Sequence, residues 1–425
     1  MLLPSYPVPK VARSPVERIP LSQGLTLVHH HLPASAAVVM DVWLDAGARV
    51  EPSAWSGMAH FLEHMIFKGT DRIAPGEFDL AVEGRGGMTN AATSHDYAHY
   101  FVTSAVQDAR VSLPLLADLL QGAIVPVAEF ERERSVVIEE LRQAQDNPDW
   151  VAFQSLLESL YPHHAYGRSV LGTIASVMGI TPEAMRQFHG CYYQPERAVV
   201  AIAGGIDRQE ACDLVTSAFS SFVAPSACPA PEPGRLDAIT EVRRQRLHLP
   251  YLETARLMMA WLLPGPVPIG DTHALDLLSV LLSEGRTSRL VRELREERQL
   301  VQSIGCDCTT QREASVFFLT AWLDGDHMAT VEAIALDRLE DVQGGAVSEF
   351  ELARAKRLLC NDYAFSTETP SQLASCYGYY TLMGHFDEAI HYVEHVKAVT
   401  VADLVRVART YLPRDRYAVT ELLPI

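Results

Sequence analysis

Apolar and polar residues follow the same succession of patterns in the two halves of this chain. Each half begins with short β-type apolar runs, continues with stretches of helical periodicity, and closes on another strand-like run. The β-type runs are residues 25–28, 37–44 and 198–203 in the first half, and residues 246–249, 256–263 and 417–422 in the second. This repeat predicts an α+β fold of two homologous domains, each a mostly antiparallel sheet flanked by helices.

A proline-rich stretch at residues 224–234 divides the chain almost evenly. Such a composition is typical of an extended, semi-stiff linker rather than of a helix or strand. We therefore expect an N-terminal domain at residues 1–223, a linker at 224–236 and a C-terminal domain at 237–425. A chain of 425 residues is also too long for one compact core, which agrees with two domains.

Within the first helical stretch, residues 57–67 are almost all apolar apart from His60, Glu63 and His64. Residues four apart share one face of a helix, so His60 and His64 direct two imidazoles to one point. Glu63 lies about 60° round the helix from His60. Burying these three groups costs several kcal/mol unless something pairs with them, and a divalent metal ion does so. The alternative is two histidines near a core, one of them salt-bridged.

The order H-x-x-E-H inverts the commoner H-E-x-x-H, and both are metalloprotease motifs. A zinc ion with three protein ligands keeps a position open for water and lowers the pKa of that water toward neutrality. A neighbouring carboxylate, here Glu63, then takes the proton. A hydrolytic site of this kind needs a third protein ligand.

The third ligand is expected in a helix over residues 130–144. Glu133 and Glu140 lie on its otherwise apolar stripe, whereas Glu139 points about 100° away and is the weaker candidate. The stripe consists of Phe130, Glu133, Val137, Glu140, Leu141 and Ala144. We predict Glu140 as the ligand and Glu133 as a carboxylate that orients a metal ligand. The alternative is a solvated helix edge.

A second H-x-x-E-H pentad occupies residues 391–395. Its polar surroundings predict an amphipathic helix with a solvated face, and no acidic helix follows that supplies a third ligand. We therefore expect no metal there. Aligning the two halves places the first pentad on residues 276–280, where Asp276, Ser279 and Val280 replace its polar residues. One metal site per chain follows, in the first half.

The block at residues 60–70, HFLEHMIFKGT, resembles the signature of the pitrilysin–insulinase metallopeptidases, in the branch of the mitochondrial processing peptidase and its bacterial relatives. The second pentad has no such continuation. Glu140 and Glu133 stand where this family has its third metal ligand and an additional acidic residue. The resemblance extends over nearly the whole chain, strongly in the first half and more loosely in the second.

This resemblance implies a zinc-dependent endopeptidase or oligopeptidase subunit that hydrolyses small or unfolded peptides, with one Zn²⁺ per chain and Glu63 as the catalytic residue. Residues 87–97 resemble the edge strand by which the family binds the substrate backbone. Asn90 and Ala91 are therefore expected to bind an extended peptide by strand addition. The alternative is a non-catalytic core subunit of a larger assembly, since the family includes such members. The retained metal set argues against it.

The partner that we expect is inferred from one position at which this chain departs from the family's pattern. Related chains carry an Arg and a Tyr seven residues apart that bind the substrate backbone across the cavity. Arg295 stands at the first of these positions, but Gln302 replaces the Tyr, and an amide lacks the ring that packs against a peptide. We therefore expect a heterodimer with a homologous sister subunit that lacks the metal set. A homodimer that uses Gln302 as a weaker substitute is the alternative.

Composition excludes further classes of partner and indicates the compartment of the protein. A formal net charge of −18 argues against nucleic acid, because phosphate binding needs a basic surface. No apolar run approaches the length of a membrane span, and prolines in the first ten residues interrupt any signal peptide. Together with an odd cysteine count, this predicts a cytoplasmic protein. We expect His29–His31 at an exposed strand end.

Overall fold

The computed structural model describes residues 16–222, 225, 227, 229–264 and 267–425. The first fifteen residues, which carry the expectation of no signal peptide, and part of the predicted linker at 224–236 lie outside this range. The last linker residues pair with the first half of the chain. Gly234 forms an isolated β-bridge with His164, and the backbone N–H of Arg235 donates to the carbonyl of His163 at 2.8 Å.

Within the described residues, six strands form the first sheet: β1 (Val16–Pro20), β2 (Thr26–His31), β3 (Ala37–Leu44), β4 (Met88–Thr93), β5 (Ala98–Ala105) and β6 (Ala198–Gly204). Their order is β1-β2-β6-β3-β5-β4. β2 and β6 run parallel, and every other neighbouring pair runs antiparallel. β4 is therefore an edge strand, and one side of its backbone is open to a further strand.

In the part of the chain that the structure describes, five strands form the second sheet: β7 (Arg243–Leu249), β8 (Ala255–Pro264), β9 (Val301–Thr310), β10 (Ala314–Leu323) and β11 (Ala418–Pro424). Their order is β7-β11-β8-β10-β9, with one parallel pair, β7 and β11. This order matches β2-β6-β3-β5-β4 strand for strand. The predicted α+β fold of two homologous, mostly antiparallel domains is confirmed.

Helices flank both sheets. Those of the first half are α1 (Met58–Ile66), α2 (Glu77–Glu83), α3 (Ala109–Gly122), α4 (Val127–Asp146), α5 (Pro148–Leu160), α6 (Ile174–Gly179), α7 (Pro182–Tyr192) and α8 (Arg208–Ala218). Those of the second half are α9 (Ile269–Ser283), α10 (Met328–Gln343), α11 (Glu349–Phe365), α12 (Pro370–Leu382), α13 (Phe386–Ala398) and α14 (Val401–Tyr411). No helix among the described residues combines the length and apolar character needed to cross a lipid bilayer.

Each half of the chain donates one helix to the sheet of the other half. α12 packs Leu373, Ala374 and Tyr377 against Val39 and Trp43 of β3 in the first sheet. In return, α5 from the first half packs on the second sheet, through a cluster that contains Leu156, Leu160, Ala260, Val316 and Leu422. Because each sheet needs a helix from the other half to cover one face, the two halves are packed as one unit.

One expectation from the sequence is wrong, and it fails where distant segments meet. His29 and His30 are only 1% and 3% exposed, because β2 lies between two strands and α12 covers it. The His30 ring lies 5.5 Å from that of Tyr377 on α12. Cys191 is disulfide-bonded, although the odd cysteine count favoured a cytoplasmic protein.

We predict that Gly378→Ala destabilises the protein through the contact between the halves. A Cβ on Gly378 would lie 2.3 Å from Nε1 of Trp43, so α12 must move away from the first sheet. Alanine in a helix interior normally stabilises it by up to about 1 kcal/mol relative to glycine. Here we expect a loss of about 1–3 kcal/mol of unfolding free energy, as for other overpacked cores.

Denaturant unfolding measures this loss, with Gly270→Ala as the matched control. A Cβ on Gly270, in the first turn of α9, meets nothing within 4 Å. Equal unfolding free energies for the two variants would show that α12 does not need this close approach.

Candidate metal centre

The N-terminus of α1 is fixed by a buried carboxylate that the sequence motif does not include. Glu51 is 1% exposed, and its two oxygens accept the backbone N–H groups of Gly57 at 3.0 Å and Ala59 at 2.6 Å. These donors belong to the helix start, which has no hydrogen-bond partners within the helix. Burial raises the pKa of Glu51 to about 8, against the hydrogen bonds from Ala59 and Gly57. An acidic residue seven positions before the first residue of α1 was the only signal in the sequence.

Gly57 sets the direction in which the chain enters α1. Its φ of +90° lies in the left-handed region, and a Cβ there would meet the carbonyl oxygen of Leu171 at 2.7 Å. Only glycine fits both constraints. Immediately after it, α1 buries Met58, Phe61, Leu62 and Met65, which fixes the rotation of the helix about its axis.

That rotation brings together the three ligands that the sequence predicts. The ligand atoms of His60, His64 and Glu140 all lie within 4.8 Å of one another. Glu140 reaches them from α4: its Oε1 lies 3.5 Å from Nε2 of His60, and its Oε2 lies 3.4 Å from Nε2 of His64. The side chain of His60 is buried, whereas that of Glu140 is 43% exposed and lies on the solvent side of the three ligands.

These distances fit a metal ion better than direct hydrogen bonds. A tetrahedral zinc site with bonds of about 2.0–2.1 Å spaces its ligand atoms about 3.3–3.5 Å apart. Ring N–H to carboxylate hydrogen bonds are shorter, about 2.7–2.9 Å when charged. Two imidazoles and one carboxylate are also the donor set of hydrolytic zinc sites. The residues present therefore fit a zinc ion.

Glu133 holds the outer nitrogen of His64. Its Oε2 lies 3.2 Å from Nδ1 of that ring, which leaves Nε2 directed at the ligand group. Lys68 forms an ion pair with the other oxygen of Glu133. Hydrogen bonding at the outer nitrogen fixes the tautomer and the orientation of a metal-binding histidine. Lys68 was not among the predicted site residues, although it lies within the signature block.

The charge of Glu140 is the one that metal binding requires. The imidazoles of His60 and His64 hold the pKa of Glu140 well below its usual range. Burial lowers the pKa of His64, but the carboxylates of Glu140 and Glu133 outweigh it, and the net shift is upward, so a metal ion must displace a proton from this ring. A carboxylate that stays ionised beside two imidazoles is ready to bind a cation.

Glu63 lines a cleft of about 600 Å³ together with His60 and Glu140. The hydroxyl of Thr93, at the end of β4, donates a hydrogen bond to Oε2 of Glu63. The cleft is also bordered by Ala92, Thr93, Gln143, Ala144, Asn147, Trp150, Val170 and Leu171. The carboxylate is therefore held beside the candidate ligands and faces a space that admits a substrate.

The open edge of β4 runs along this cleft. The N–H of Ser94 donates to the carbonyl of Tyr97 at 2.7 Å and closes the hairpin between β4 and β5. Along an antiparallel strand, the backbone N–H and C=O groups of successive residues point alternately to one neighbouring strand and to the other side. The N–H of Ala91 therefore points to the open edge, and the backbone groups of Asn90 point to β5. The side-chain oxygen of Asn90 accepts this N–H at 2.9 Å. Neither residue lines the cleft, although Ala92 does.

Arg295 lies away from this cleft, in a π-helical segment at Val291–Glu297, and is in an ion pair with Glu296 at 2.7 Å. Gln302 is on β9, where its amide donates to the hydroxyl of Thr254 at 3.5 Å. Among the described residues, the cleft lining contains no arginine and no tyrosine. The structure thus does not bring Arg295 together with the candidate metal ligands of the same chain.

Comparisons with known proteins agree with this arrangement. The sequence profile of the insulinase family (peptidase family M16) matches residues 26–174, and the profile of the peptidase M16 inactive domain matches residues 179–359. A zinc protease, PqqE, of Helicobacter pylori is 30% identical over 96% of this chain and 92% of its own length. The β subunit of the mitochondrial-processing peptidase of Rattus norvegicus is 29% identical over 80% of this chain and 70% of its own.

A solved structure supports the same relationship. The crystal structure of a protease from Helicobacter pylori superposes with a TM-score of 0.91 at 27% identity, covering 97% of this chain and all of that one. Relatives named zinc proteases thus align over almost the whole chain, including both sheets. The chain belongs to the insulinase family of peptidases, peptidase family M16.

Proposed function

We propose that this chain is the zinc-binding subunit of an endopeptidase or oligopeptidase that hydrolyses small or unfolded peptides. The observation that carries the proposal is the convergence of His60, His64 and Glu140 beside Glu63 at one cleft. The three ligands would hold Zn²⁺, which lowers the pKa of a water molecule at its open position toward neutrality.

Glu63 is proposed to carry the proton through the reaction. Its carboxylate accepts the proton as the water oxygen bonds to the peptide carbonyl carbon, and donates it to the amide nitrogen as the C–N bond breaks. The hydrogen bond from Thr93 restrains one oxygen of Glu63. The other oxygen remains for the water, which supports an assignment as base rather than as ligand.

An extended peptide is proposed to add to the open edge of β4. A carbonyl oxygen of the substrate accepts the hydrogen bond from the N–H of Ala91. It replaces the side-chain oxygen of Asn90, which accepts this hydrogen bond in the structure. Main-chain hydrogen bonds of this kind select an extended conformation more than a sequence. Folded proteins present few such segments, and this supports small or unfolded peptides as substrates.

We propose the domain limits expected from the sequence: a metal-binding domain at 1–223, a linker at 224–236, and a domain at 237–425 that takes no part in the catalytic metal site. We further infer a homologous sister subunit without the metal set, which supplies the substrate-binding Arg and Tyr. The absence of both residue types from the described cleft lining supports this, as does the relative that is itself named a subunit. A homodimer that uses Gln302 is the alternative.

We predict that Glu63→Gln lowers kcat at least about 100-fold, because the amide keeps the shape but accepts no proton. Metal content should stay at the wild-type value, since the three ligands are unchanged. Peptide hydrolysis and metal analysis are measured on the same preparation. Activity above a few per cent of wild type would rule out Glu63 as the base, and loss of metal together with activity would make it a ligand.

Glu140→Gln should lose most of the metal from this site, because a neutral amide is a poor ligand. Glu139→Gln is the matched control: Glu139 is exposed and pairs with Arg142 at 3.2 Å on another face of α4, so we expect it to be neutral. Glu133→Gln should fall between them, with roughly 10–100-fold weaker binding. Equal metal affinities for the Glu140 and Glu139 variants would contradict the assignment.

The partner is tested by assaying the purified chain alone and with a metal-lacking homologue from the same organism. We expect low activity from the chain alone and a large increase on mixing, with the two chains co-eluting as one species. A mixture that contains the Glu63→Gln chain is the control and should stay inactive. Full activity from the isolated chain, unchanged by the sister, would exclude the heterodimer. A core subunit without catalysis would be inactive in both assays.

A further inference from the structure

A second cluster of metal-binding side chains lies in the C-terminal half, between α9 and α13. The ligand atoms of His273, Glu388 and His395 all lie within 4.8 Å of one another. Oε2 of Glu388 lies 3.0 Å from Nε2 of His273 and 2.8 Å from Nδ1 of His395. His395 is the last residue of the second H-x-x-E-H pentad, for which the sequence predicted no metal.

The pentad itself does not form this cluster. Its glutamate, Glu394, is exposed on another side of α13 and takes no part. The carboxylate comes instead from Glu388, seven residues before His395 on the same helical face, and the second imidazole comes from α9. From the sequence, a third ligand was expected only from an acidic helix after the pentad, whereas Glu388 and His273 both precede it.

Burial increases from His395 through Glu388 to His273. The side chain of His273 is 3% exposed, that of Glu388 12% and that of His395 44%. The buried carboxylate of Glu388 holds both imidazoles, and the exposed third ligand gives an ion access from solvent. His273 also borders a cavity of about 1030 Å³ beside α12.

We propose that His273, Glu388 and His395 form a second metal site, for a divalent transition-metal ion such as zinc. Two imidazoles and one carboxylate suit zinc and disfavour magnesium and calcium. The ligand atoms now lie at hydrogen-bond distance, so ion binding must separate them to about 3.3 Å. His395 stands in the last turn of α13 and is nearly half exposed, so this movement leaves the core closed.

The converging ligand atoms do not include those of His391, but rotation of its side chain would make it a fourth ligand. It lies one turn before His395 on the same face of α13, and the two ring centroids are 6.1 Å apart. Four protein ligands are typical of a structural zinc site, whereas a hydrolytic site keeps one position for water. The second site would therefore stabilise the fold rather than catalyse a reaction.

The position of the site in the fold explains how a bound metal ion would stabilise the protein. An ion there joins α9, in the core of the second half, to α13. α13 follows directly after α12, the helix that the second half packs on the first sheet. Metal bound at this site would thus strengthen the contact between the two halves, at a distance from the cleft that contains Glu63.

Metal counting on the full chain tests the proposal. The protein is stripped with a chelator, reloaded with zinc, freed of excess metal and measured by elemental analysis. We expect two equivalents in wild type and one in His395→Gln, with peptidase activity unchanged. The matched control is Glu394→Gln, an exposed substitution on the same helix, which should keep both equivalents.

Combining His395→Gln with Glu140→Gln separates the two sites. Glu140→Gln alone should retain the second ion and show a zinc-dependent rise in Tm, and the double variant should show neither, because a ligand bound only to the native state stabilises it. Equal zinc content and equal Tm response with and without His395→Gln, or the same loss in Glu394→Gln, would overturn the proposal. None of these readouts depends on peptidase activity.

Discussion

The distance and rotation between α1 and α4 control the candidate active site, because two of its ligands come from one helix and the third from the other. Apolar contacts between the helices set this relation: the rings of Phe61 and Phe130 are stacked with centroids 4.6 Å apart. His60 and Glu140 lie on the adjoining faces. Close-packed cores deform little, so the apolar contact holds the polar groups at ligand spacing without help from hydrogen bonds between them.

The second half of the chain contributes to the same site through a polar contact rather than a ligand. Asp96, in the hairpin that closes β4 and β5, accepts a hydrogen bond from Arg49 at 2.9 Å and the backbone N–H of Arg312 at 3.1 Å. Arg312 lies in the turn between β9 and β10, and its neighbour Glu313 pairs with Arg49 at 2.8 Å. The edge proposed to bind substrate is thus anchored at its end by the second half of the chain.

Helical and strand periodicity were enough to place six of the eleven described strands, the helix that carries His60 and His64, and the helical phase that separates Glu140 from Glu139. Those features depend on residues that are close in the chain. Glu51, which caps α1, and α12, which buries His29 and His30, depend on segments that meet only after folding. Periodicity within one segment carries no information about such contacts, and this is where the expectation for the histidine strand failed.

The two H-x-x-E-H pentads show why the pattern alone does not define a site. In both, one turn of helix places two histidines on a common face. In the first, that face meets Glu140 of a neighbouring helix while the opposite face packs in an apolar core, so both histidines converge with Glu140. In the second, His395 meets Glu388 of its own helix and His273 of α9, and Glu394 takes no part. What the neighbouring helix presents to the histidine face, rather than the pentad, decides which side chains converge.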